Sequence, residues 1–309
     1  MTLSRPPTGR PVTILCAGIA VQDILFRVDA FPPPGGKTMT NEMQIVCGGC
    51  AVNAAIAVAR LGGAARYSGP LGDEADNSSN QLVAAMRQEG IDTSATVRVA
   101  GAAMPVSGIM IDATGERVIV TYRDPRIEAA APPDPDTLVA GADLLLADNR
   151  FPNYVRPICE AARRRGIPVV LDADRPTTED DPLFGIPTHV VFSSECLRAT
   201  TGLSDLSAGL LRMVPRTKAF LAVSDGPGPI RYIAGGALQT LPVFQVDAVD
   251  TLAAGDVFHA GFALALAEGC DEHQALRFGA AAAGLKCAQF GGSMGAPARA
   301  DVEAFLAGA

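Results

Sequence analysis

A stretch of small residues late in the chain has the composition of a phosphate-binding turn. Ala253, Ala254 and Gly255 are followed at once by Asp256 and then by an apolar pattern with helical spacing. The first turn of a helix carries unpaired N–H groups and partial positive charge, so small side chains there let a phosphate approach the backbone. A carboxylate beside the same amides can take a proton from the attacking hydroxyl. The stretch therefore predicts phosphoryl transfer, with Asp256 as the base.

The composition argues against several other classes of protein. The chain has 309 residues, 25 of them basic and 33 acidic, so its formal net charge is −8 and a nucleic-acid surface is not expected. No apolar run reaches the roughly 18 residues of a membrane span, and the N-terminal segment lacks an apolar signal core. The seven cysteines are scattered and odd in number, which is typical of free thiols in a reducing compartment. We therefore expect a cytoplasmic protein that contacts neither nucleic acid nor membrane.

Two further motifs combine polar side chains with small residues beside predicted elements. Asp23 follows a buried apolar run over 12–20, and one carboxylate can accept hydrogen bonds from two hydroxyls. Gly48 and Gly49 precede a predicted helix whose first turn carries Asn53. Glycines let a ligand approach the backbone, and an Asn amide both donates and accepts hydrogen bonds.

These motifs together resemble the two signatures of the PfkB/ribokinase family of carbohydrate kinases. The C-terminal signature, D-T-x-G-A-G-D, is matched by Asp250, Thr251, Ala254, Gly255 and Asp256. Ala253 stands where the family has glycine, and alanine is strained there if its φ is positive. The N-terminal signature is matched by Gly48, Gly49, Asn53 and the A-R-L-G of residues 59–62. The resemblance covers roughly residues 11–305. It implies that residues 253–256 form the catalytic turn and that Asp23, Gly48, Gly49 and Asn53 hold the sugar.

The resemblance implies an α/β, ribokinase-like fold, a doubly wound and mostly parallel sheet with a small β-sheet lid, in a single domain over 1–309. The lid would be built from about 24–46 and 105–123 and would cover the sugar, and in this family it often clasps a second copy, so a homodimer is expected. The residue pattern agrees, because short apolar strands near 144–147, 169–171, 190–192 and 219–223 alternate with helical segments. A further helix is predicted over 277–287, and a lid strand over 37–46.

The resemblance also implies ATP as the phosphoryl donor, accompanied by Mg²⁺. The residues that it places near the nucleotide are Ser224, Gly226, Gly228, Thr251 and Lys286. The N-x-x-E motif of the family is altered here, and Glu195 is the one carboxylate left in it. Either Glu195 reaches the metal through water, or ATP itself holds most of the Mg²⁺ coordination, since this ion keeps several waters readily. The family also allows a monovalent cation such as K⁺ near Asp250 and the 290–296 loop.

Several stretches resemble the sulfofructose kinase subgroup, in which a Lys, an Asn and an Arg grip the sulfonate. The corresponding residues are Lys37, Thr121 and Arg150, with Thr121 in place of Asn. An arginine suits a sulfonate or a phosphate because its planar guanidinium can bind two oxygens at once. The alternative is that Lys37 and Arg150 form unrelated surface ion pairs.

The predicted function is an ATP-dependent kinase that phosphorylates a primary hydroxyl of a ketose-type sugar, including an anionic one such as 6-deoxy-6-sulfofructose. Fructose, ribose, a ketose phosphate or a nucleoside remain alternatives, the last ranked lower because the chain has no Trp and only four Tyr for stacking. Ala253 and the altered N-x-x-E also leave open a catalytically weak sugar-binding protein on the same fold. A dinucleotide oxidoreductase is disfavoured, since no G-x-G-x-x-G follows the first strand.

Overall fold

The computed structural model describes residues 10–308, and none of the helices in that range is long and apolar enough to cross a membrane. The strands are β1 Thr13–Ala17, β2 Val21–Arg27, β3 Met43–Gly48, β4 Ala64–Ser68, β5 Pro70–Leu71, β6 Val97–Arg98, β7 Val106–Ile111, β8 Arg117–Tyr122, β9 Leu144–Asp148, β10 Val169–Ala173, β11 His189–Ser193, β12 Phe220–Asp225, β13 Gly228–Ala234 and β14 Ala237–Leu241. The helices are α1 Cys50–Arg60, α2 Asn77–Gln88, α3 Pro125–Glu128, α4 Pro135–Leu138, α5 Pro152–Arg164, α6 Ser194–Thr201, α7 Leu206–Met213, α8 Ala254–Ala267, α9 Glu272–Cys287 and α10 Arg299–Gly308.

The main sheet has eight strands in the order β14-β13-β12-β11-β10-β9-β1-β4. The six strands from β4 to β12 in this order run parallel, and the hairpin of β13 and β14 adds an antiparallel edge. Parallel neighbours need crossover connections, which the helices supply. The predicted α/β fold with a mostly parallel sheet is confirmed.

Helices cover both faces of this sheet and divide the core into two layers. Alternate residues of a strand face opposite sides, so on β9 Leu146 packs towards α1, α8 and α9, whereas Leu145 packs towards α5, α6 and α7. Strands β9 and β10 are buried over their full length because helices cover both faces of the sheet. Strands in this position have nearly continuous apolar sequences. All parallel strands end at one edge, where α8 begins.

A separate four-stranded sheet, in the order β3-β2-β7-β8, forms the lid. Strands β2 and β7 pair in parallel, while β3 and β8 are antiparallel edge strands. The register sets Asp23 opposite Ser107 and Ser107 opposite Thr121, so these three polar residues form one row across the sheet. The predicted small β-sheet lid is confirmed.

Some predicted boundaries agree with the observed ones and others differ. The strand predicted in the run over 12–20 agrees with the structure, since it was expected to end at Gly18 and β1 ends at Ala17, where the chain turns at Gly18. A Cβ at Gly18 would lie 1.9 Å from Oδ2 of Asp148, so only glycine fits this turn. The predicted strand over 37–46 starts only at Met43, and the predicted helix over 277–287 begins earlier, at Glu272.

Candidate active site

A cavity of about 310 Å³ lies where the lid meets the carboxyl edge of the main sheet. It is lined by residues of the lid, of the start of α1, of the ends of β9 and β10, and of the turn before α8. The residues predicted from the sequence that line it are Asp23, Gly49, Asn53, Thr121, Arg150, Thr251, Ala253, Ala254, Gly255 and Asp256. Chain segments far apart in sequence thus converge on one enclosure.

The turn before α8 has an unusual backbone conformation at Ala253. Its φ of 62° and ψ of 8° lie in the left-handed region, and within residues 10–308 no other residue except glycines has a positive φ. A left-handed conformation costs a residue with a Cβ about 1–2 kcal/mol. The glycine that the family has at this position can adopt a positive φ without this cost. In this protein the fold holds alanine in the same strained conformation.

This conformation aims the first amides of α8 at the cavity. The N–H of Ala254 donates to the carbonyl of Thr251 at 3.3 Å, whereas no atom of residues 10–308 accepts from the N–H of Gly255 or Asp256. A Cβ added at Gly255 would meet nothing within 4 Å, so the approach to these amides is open. Two unpaired N–H groups at a helix N-terminus form a site for an anion.

Asp256 is held in place by a residue distant in sequence. Asn53, on the first turn of α1, donates from Nδ2 to Oδ2 of Asp256 at 2.7 Å. The other oxygen of the Asp256 carboxylate receives no hydrogen bond from the described residues, while Oδ1 of Asn53 is buried and also has no partner there. One carboxylate oxygen is thus oriented and the other is available to a ligand.

The glycine pair before α1 makes room for another carboxylate. A Cβ at Gly48 would lie 2.1 Å from Oδ2 of Asp23, and one at Gly49 would lie 2.5 Å from the carbonyl oxygen of Ile19. Asp23 itself is only 5% exposed. Burial raises the pKa of Asp23 to about 7, a hydrogen bond from Ser107 opposes the shift, and the charge of Asp256 adds to it.

Two polar residues lie beneath the catalytic turn, namely Asp172 near the end of β10 and His259, which was not predicted as a site residue. His259 lies one helical turn after Gly255, and its Nδ1 donates to the Gly255 carbonyl at 2.7 Å, while Nε2 lies 3.5 Å from Oδ1 of Asp172. Burial raises the pKa of Asp172 to about 6, His259 opposes the shift and Asp256 adds to it. The i, i+4 spacing from Gly255 is the signal that could have identified His259.

The cavity also contains more positive charge than the sequence suggested. Arg117, Arg123 and Arg150 all line it, and Arg150 is ion-paired with Asp174. Burial lowers the pKa of Arg123, and the guanidinium of Arg150 lowers it further. Arg117, Thr121 and Arg123 are separated by even numbers of residues at the end of the lid hairpin. Because side chains two residues apart in a strand share a face, this spacing could have predicted that the two arginines lie on the same face as Thr121.

Lys37 is not part of this arrangement. It is exposed in the segment between β2 and β3 and does not line the cavity. Proline and glycine residues hold that segment outside the sheet pairing, so the side chain has no strand to aim it. In this structure Arg123 supplies the second cavity cation that the sequence had assigned to Lys37.

The residues predicted to contact nucleotide and metal lie beside the cavity and do not line it, apart from Thr251. Ser224 lies one residue before the end of β12, opposite Ser193 of β11, and Gly226 forms the turn to β13, which begins at Gly228. Glu195 is exposed on the first turn of α6. These residues share the open carboxyl edge of the sheet.

Lys286 was also predicted to contact the nucleotide, but it lies in the protein interior and not at this open edge. Its side chain is fully buried, and Nζ donates to the carbonyl oxygen of Asp250 at 2.7 Å. A buried ammonium that is already bound by the protein cannot face a nucleotide, so the prediction for Lys286 does not agree with its position.

Known proteins of one family are similar to this chain over nearly its whole described length. The profile of the pfkB family carbohydrate kinases matches residues 13–299. Ribokinase of Bacillus subtilis (strain 168) is 29% identical over 301 residues, which are 95% of this chain and 99% of that protein. The ATP-dependent ribose-1-phosphate kinase of Halopiger xanaduensis is also 29% identical, over 96% of this chain and 98% of that protein.

A solved structure extends the likeness to three dimensions. The crystal structure of an Agrobacterium tumefaciens protein provisionally assigned as a ribokinase superposes with a TM-score of 0.91 at 36% identity, covering 96% of this chain and 98% of that one. The family match spans nearly the whole chain, including the lid and the turn before α8. The chain therefore belongs to the pfkB family of carbohydrate kinases and is an ATP-dependent sugar kinase.

Proposed function

We propose that the protein transfers the terminal phosphoryl group of ATP to a primary hydroxyl of a ketose-type sugar that carries an anionic substituent, such as 6-deoxy-6-sulfofructose. The observation that carries this proposal is one cavity with the Asp256 carboxylate and two free amides at one side and three arginines among its other lining residues. A base and an anion site suit phosphoryl transfer, and the arginines suit an anionic acceptor.

Asp256 acts as the general base in this proposal. Asn53 fixes one carboxylate oxygen, so the other takes the proton as the sugar oxygen attacks the terminal phosphorus. The bond from that phosphorus to the bridging oxygen breaks, and the electron pair leaves with ADP. The N–H groups of Gly255 and Asp256 bind the phosphoryl oxygens, where the negative charge lies during the transfer.

The sugar ring is held by acceptors from two elements. Asp23 offers a buried carboxylate from β2, and the unpaired Oδ1 of Asn53 offers a second acceptor from α1. A buried acceptor without a donor has a cost that a sugar hydroxyl would remove. We propose that Asp23 and Asn53 bind hydroxyls of the sugar, and that Gly48 and Gly49 leave space for its ring because they have no side chains.

The anionic substituent binds to Arg123 and Arg150. Burial lowers the pKa of Arg123 and the nearby guanidinium of Arg150 lowers it further, so a sulfonate or phosphate between the two groups would be attracted to both positive charges. Thr121, hydrogen-bonded to Ser107 at 2.9 Å, adds a hydroxyl on the same side of the lid. With neutral fructose or ribose bound, Arg123 and Arg150 would keep only their partners among the described residues, Glu128 and Asp174.

Mg²⁺ enters bound to ATP in this proposal. It prefers oxygen ligands, and Glu195, Asp174 and Asp256 provide carboxylates near the open edge, whereas the thiol of Cys50 beside Asp172 and Asp256 is a poor ligand for it. We propose that Glu195 acts through water on the nucleotide side, beside Ser224 and Gly226. The ion neutralises phosphate charge during transfer.

The lid also supports a homodimer. Its outer face carries large exposed apolar side chains on both edge strands, namely Met43, Ile45, Val118, Val120 and Tyr122. The register aligns Ile45, Ile24, Gly108 and Val120 into a row on that face. A contiguous apolar patch of this kind is typical of an interface, and we propose that a second copy covers it.

The free thiols of all seven cysteines suit a cytoplasmic protein.

Replacing the base tests the activity itself. We expect the wild-type protein to phosphorylate an anionic ketose with ATP, and Asp256→Asn to lower kcat roughly 10²- to 10⁴-fold, because proton removal is lost. Asp247→Asn, an exposed residue on the preceding loop, is the matched control and should retain turnover. ADP release with a panel of sulfonated, phosphorylated and neutral sugars is the measurement. A protein that binds sugar but never transfers phosphate would instead be the weak sugar-binding protein.

Removing one arginine tests the class of sugar. Arg123→Gln should raise KM for the anionic ketose roughly 10- to 100-fold, the size expected for one hydrogen bond to a charged group, and change KM for neutral sugars little. The control is Arg156→Gln, on the exposed side of α5, where the guanidinium contacts only Glu160. Equal changes for neutral and anionic sugars would contradict the assignment.

The buried carboxylate of Asp23 predicts a pH-dependent stability difference. Its pKa of about 7 in the folded protein lies above the ordinary value of 3.8, so the stabilising effect of its proton is complete below about pH 4 and is lost as the pH rises through 7. Asp23→Asn removes this penalty and should raise the unfolding midpoint, relative to wild type, more at pH 8 than at pH 5.

Thermal unfolding at both values, with the exposed Asp29→Asn as control, checks this expectation. Asp148 and Asp172 also have raised pKa values, but they are the same in both proteins and cancel in the comparison. A midpoint difference that does not change with pH would show that Asp23 is not buried in its charged form.

Charging the outer face of the lid tests the dimer. Val120 is 73% exposed on that face, so Val120→Glu should convert a dimer to a monomer, because a carboxylate would be buried in the interface. Leu211→Glu introduces the same charge at an exposed apolar residue of α7 and should leave the dimer intact. Sedimentation measures the mass, and a monomeric wild-type protein at micromolar concentration would exclude this interface.

A further inference from the structure

A lysine and an aspartate form a fully buried ion pair behind the catalytic turn. Lys286 and Asp250 both have no exposed surface. The Nζ atom of Lys286 lies 2.7 Å from the carbonyl oxygen of Asp250 and 3.0 Å from its Oδ2 atom. A buried charge is strongly unfavourable unless it is paired and hydrogen-bonded, and this pair meets both conditions.

The same carboxylate binds two further segments of the chain. Its Oδ2 atom accepts the amides of Gly291 at 3.1 Å and Gly292 at 2.9 Å, and its Oδ1 atom accepts the amide of Leu252 at 2.8 Å. Both glycines have positive φ, which turns their N–H groups towards Asp250. Asp250 therefore joins the end of α9, the 291–292 turn and the start of the catalytic turn.

This cluster lies where the family resemblance allows a monovalent cation. A cation there would need the oxygens of Asp250, but the ammonium of Lys286 already occupies both the carbonyl and one carboxylate oxygen. Adding K⁺ would place two positive charges beside one buried carboxylate. Arg117, which donates to Thr251 at 2.8 Å, would increase the repulsion. The residues present do not fit a bound K⁺.

We infer that the ammonium of Lys286 takes the place of a monovalent cation, so that this kinase needs no K⁺ to form its anion site. An ammonium head has the charge of K⁺ and a similar size, and it is delivered by the chain itself from the last turn of α9. It holds the residue directly before Thr251, and through Leu252 it orients the strained Ala253 and the free amides that follow. The inference concerns the family activity and does not depend on which sugar is the substrate.

The test exchanges the cations around the full-length protein. The wild-type protein is dialysed into tetramethylammonium buffer and titrated with KCl against choline chloride at constant ionic strength. We expect no K⁺-specific change in the thermal unfolding midpoint or in turnover. A saturable increase in the midpoint with K⁺ would overturn the inference, and this reading requires no sugar, so it is independent of the proposed substrate.

Two substitutions at the same position separate charge from space. Lys286→Ala removes the ammonium and leaves room, so its midpoint should fall by roughly 10 °C and be partly restored by K⁺ or NH₄⁺. Lys286→Met removes the charge but fills the space, so it should fall similarly and not be restored. A folded Lys286→Ala that neither cation stabilises more than choline does would contradict the replacement. If Lys286→Ala does not fold in either buffer, the wild-type titration decides the question alone.

Discussion

The buried carboxylate of Asp250 is the contact on which the geometry of the active site depends. It binds an ammonium and three backbone amides from separate segments, and none of these partners has access to water. Hydrogen bonds to an ionised group are stronger than neutral ones, and they are stronger still in a low-dielectric interior. These contacts hold the backbone at Asp250 in one position. Because the backbone there is held, Ala253 remains in a left-handed conformation that an isolated alanine would leave.

The site concentrates negative charge before any substrate arrives. Asp23, Asp148 and Asp172 are buried around the cavity, and burial raises the pKa of all three, to about 7, 7 and 6. Such groups reduce the stability of the fold at neutral pH, and the protein offsets part of this cost with Arg150 and His259. Buried polar groups that lack favourable partners in the free protein are common at functional sites, because the substrate supplies those partners when it binds.

The predictions from sequence were most accurate where a local pattern carried the chemistry. The turn at 253–256, Gly49 and Asn53 line one cavity, and Gly48 and Gly49 leave room for Asp23 and for the carbonyl of Ile19. The boundaries of the lid were less accurate, because residues 37–42 were predicted as part of a strand but lie in the loop that follows the prolines and glycines at 32–36, and β3 begins only at Met43. Lys37 was assigned to the site by resemblance, and its position depends on that segment.

The sequence by itself indicated the order of the elements, the mostly parallel sheet and the stretch that we propose as the catalytic turn, because hydrophobic periodicity and runs of small residues are visible in the local sequence. Only the tertiary structure decided that Asn53 binds Asp256, that Arg123 joins Arg150, and that Lys286 is buried against Asp250. Each of these contacts joins segments whose separation along the chain has no sequence pattern. They are set by strand register and helix packing, which arise only when the whole core is assembled.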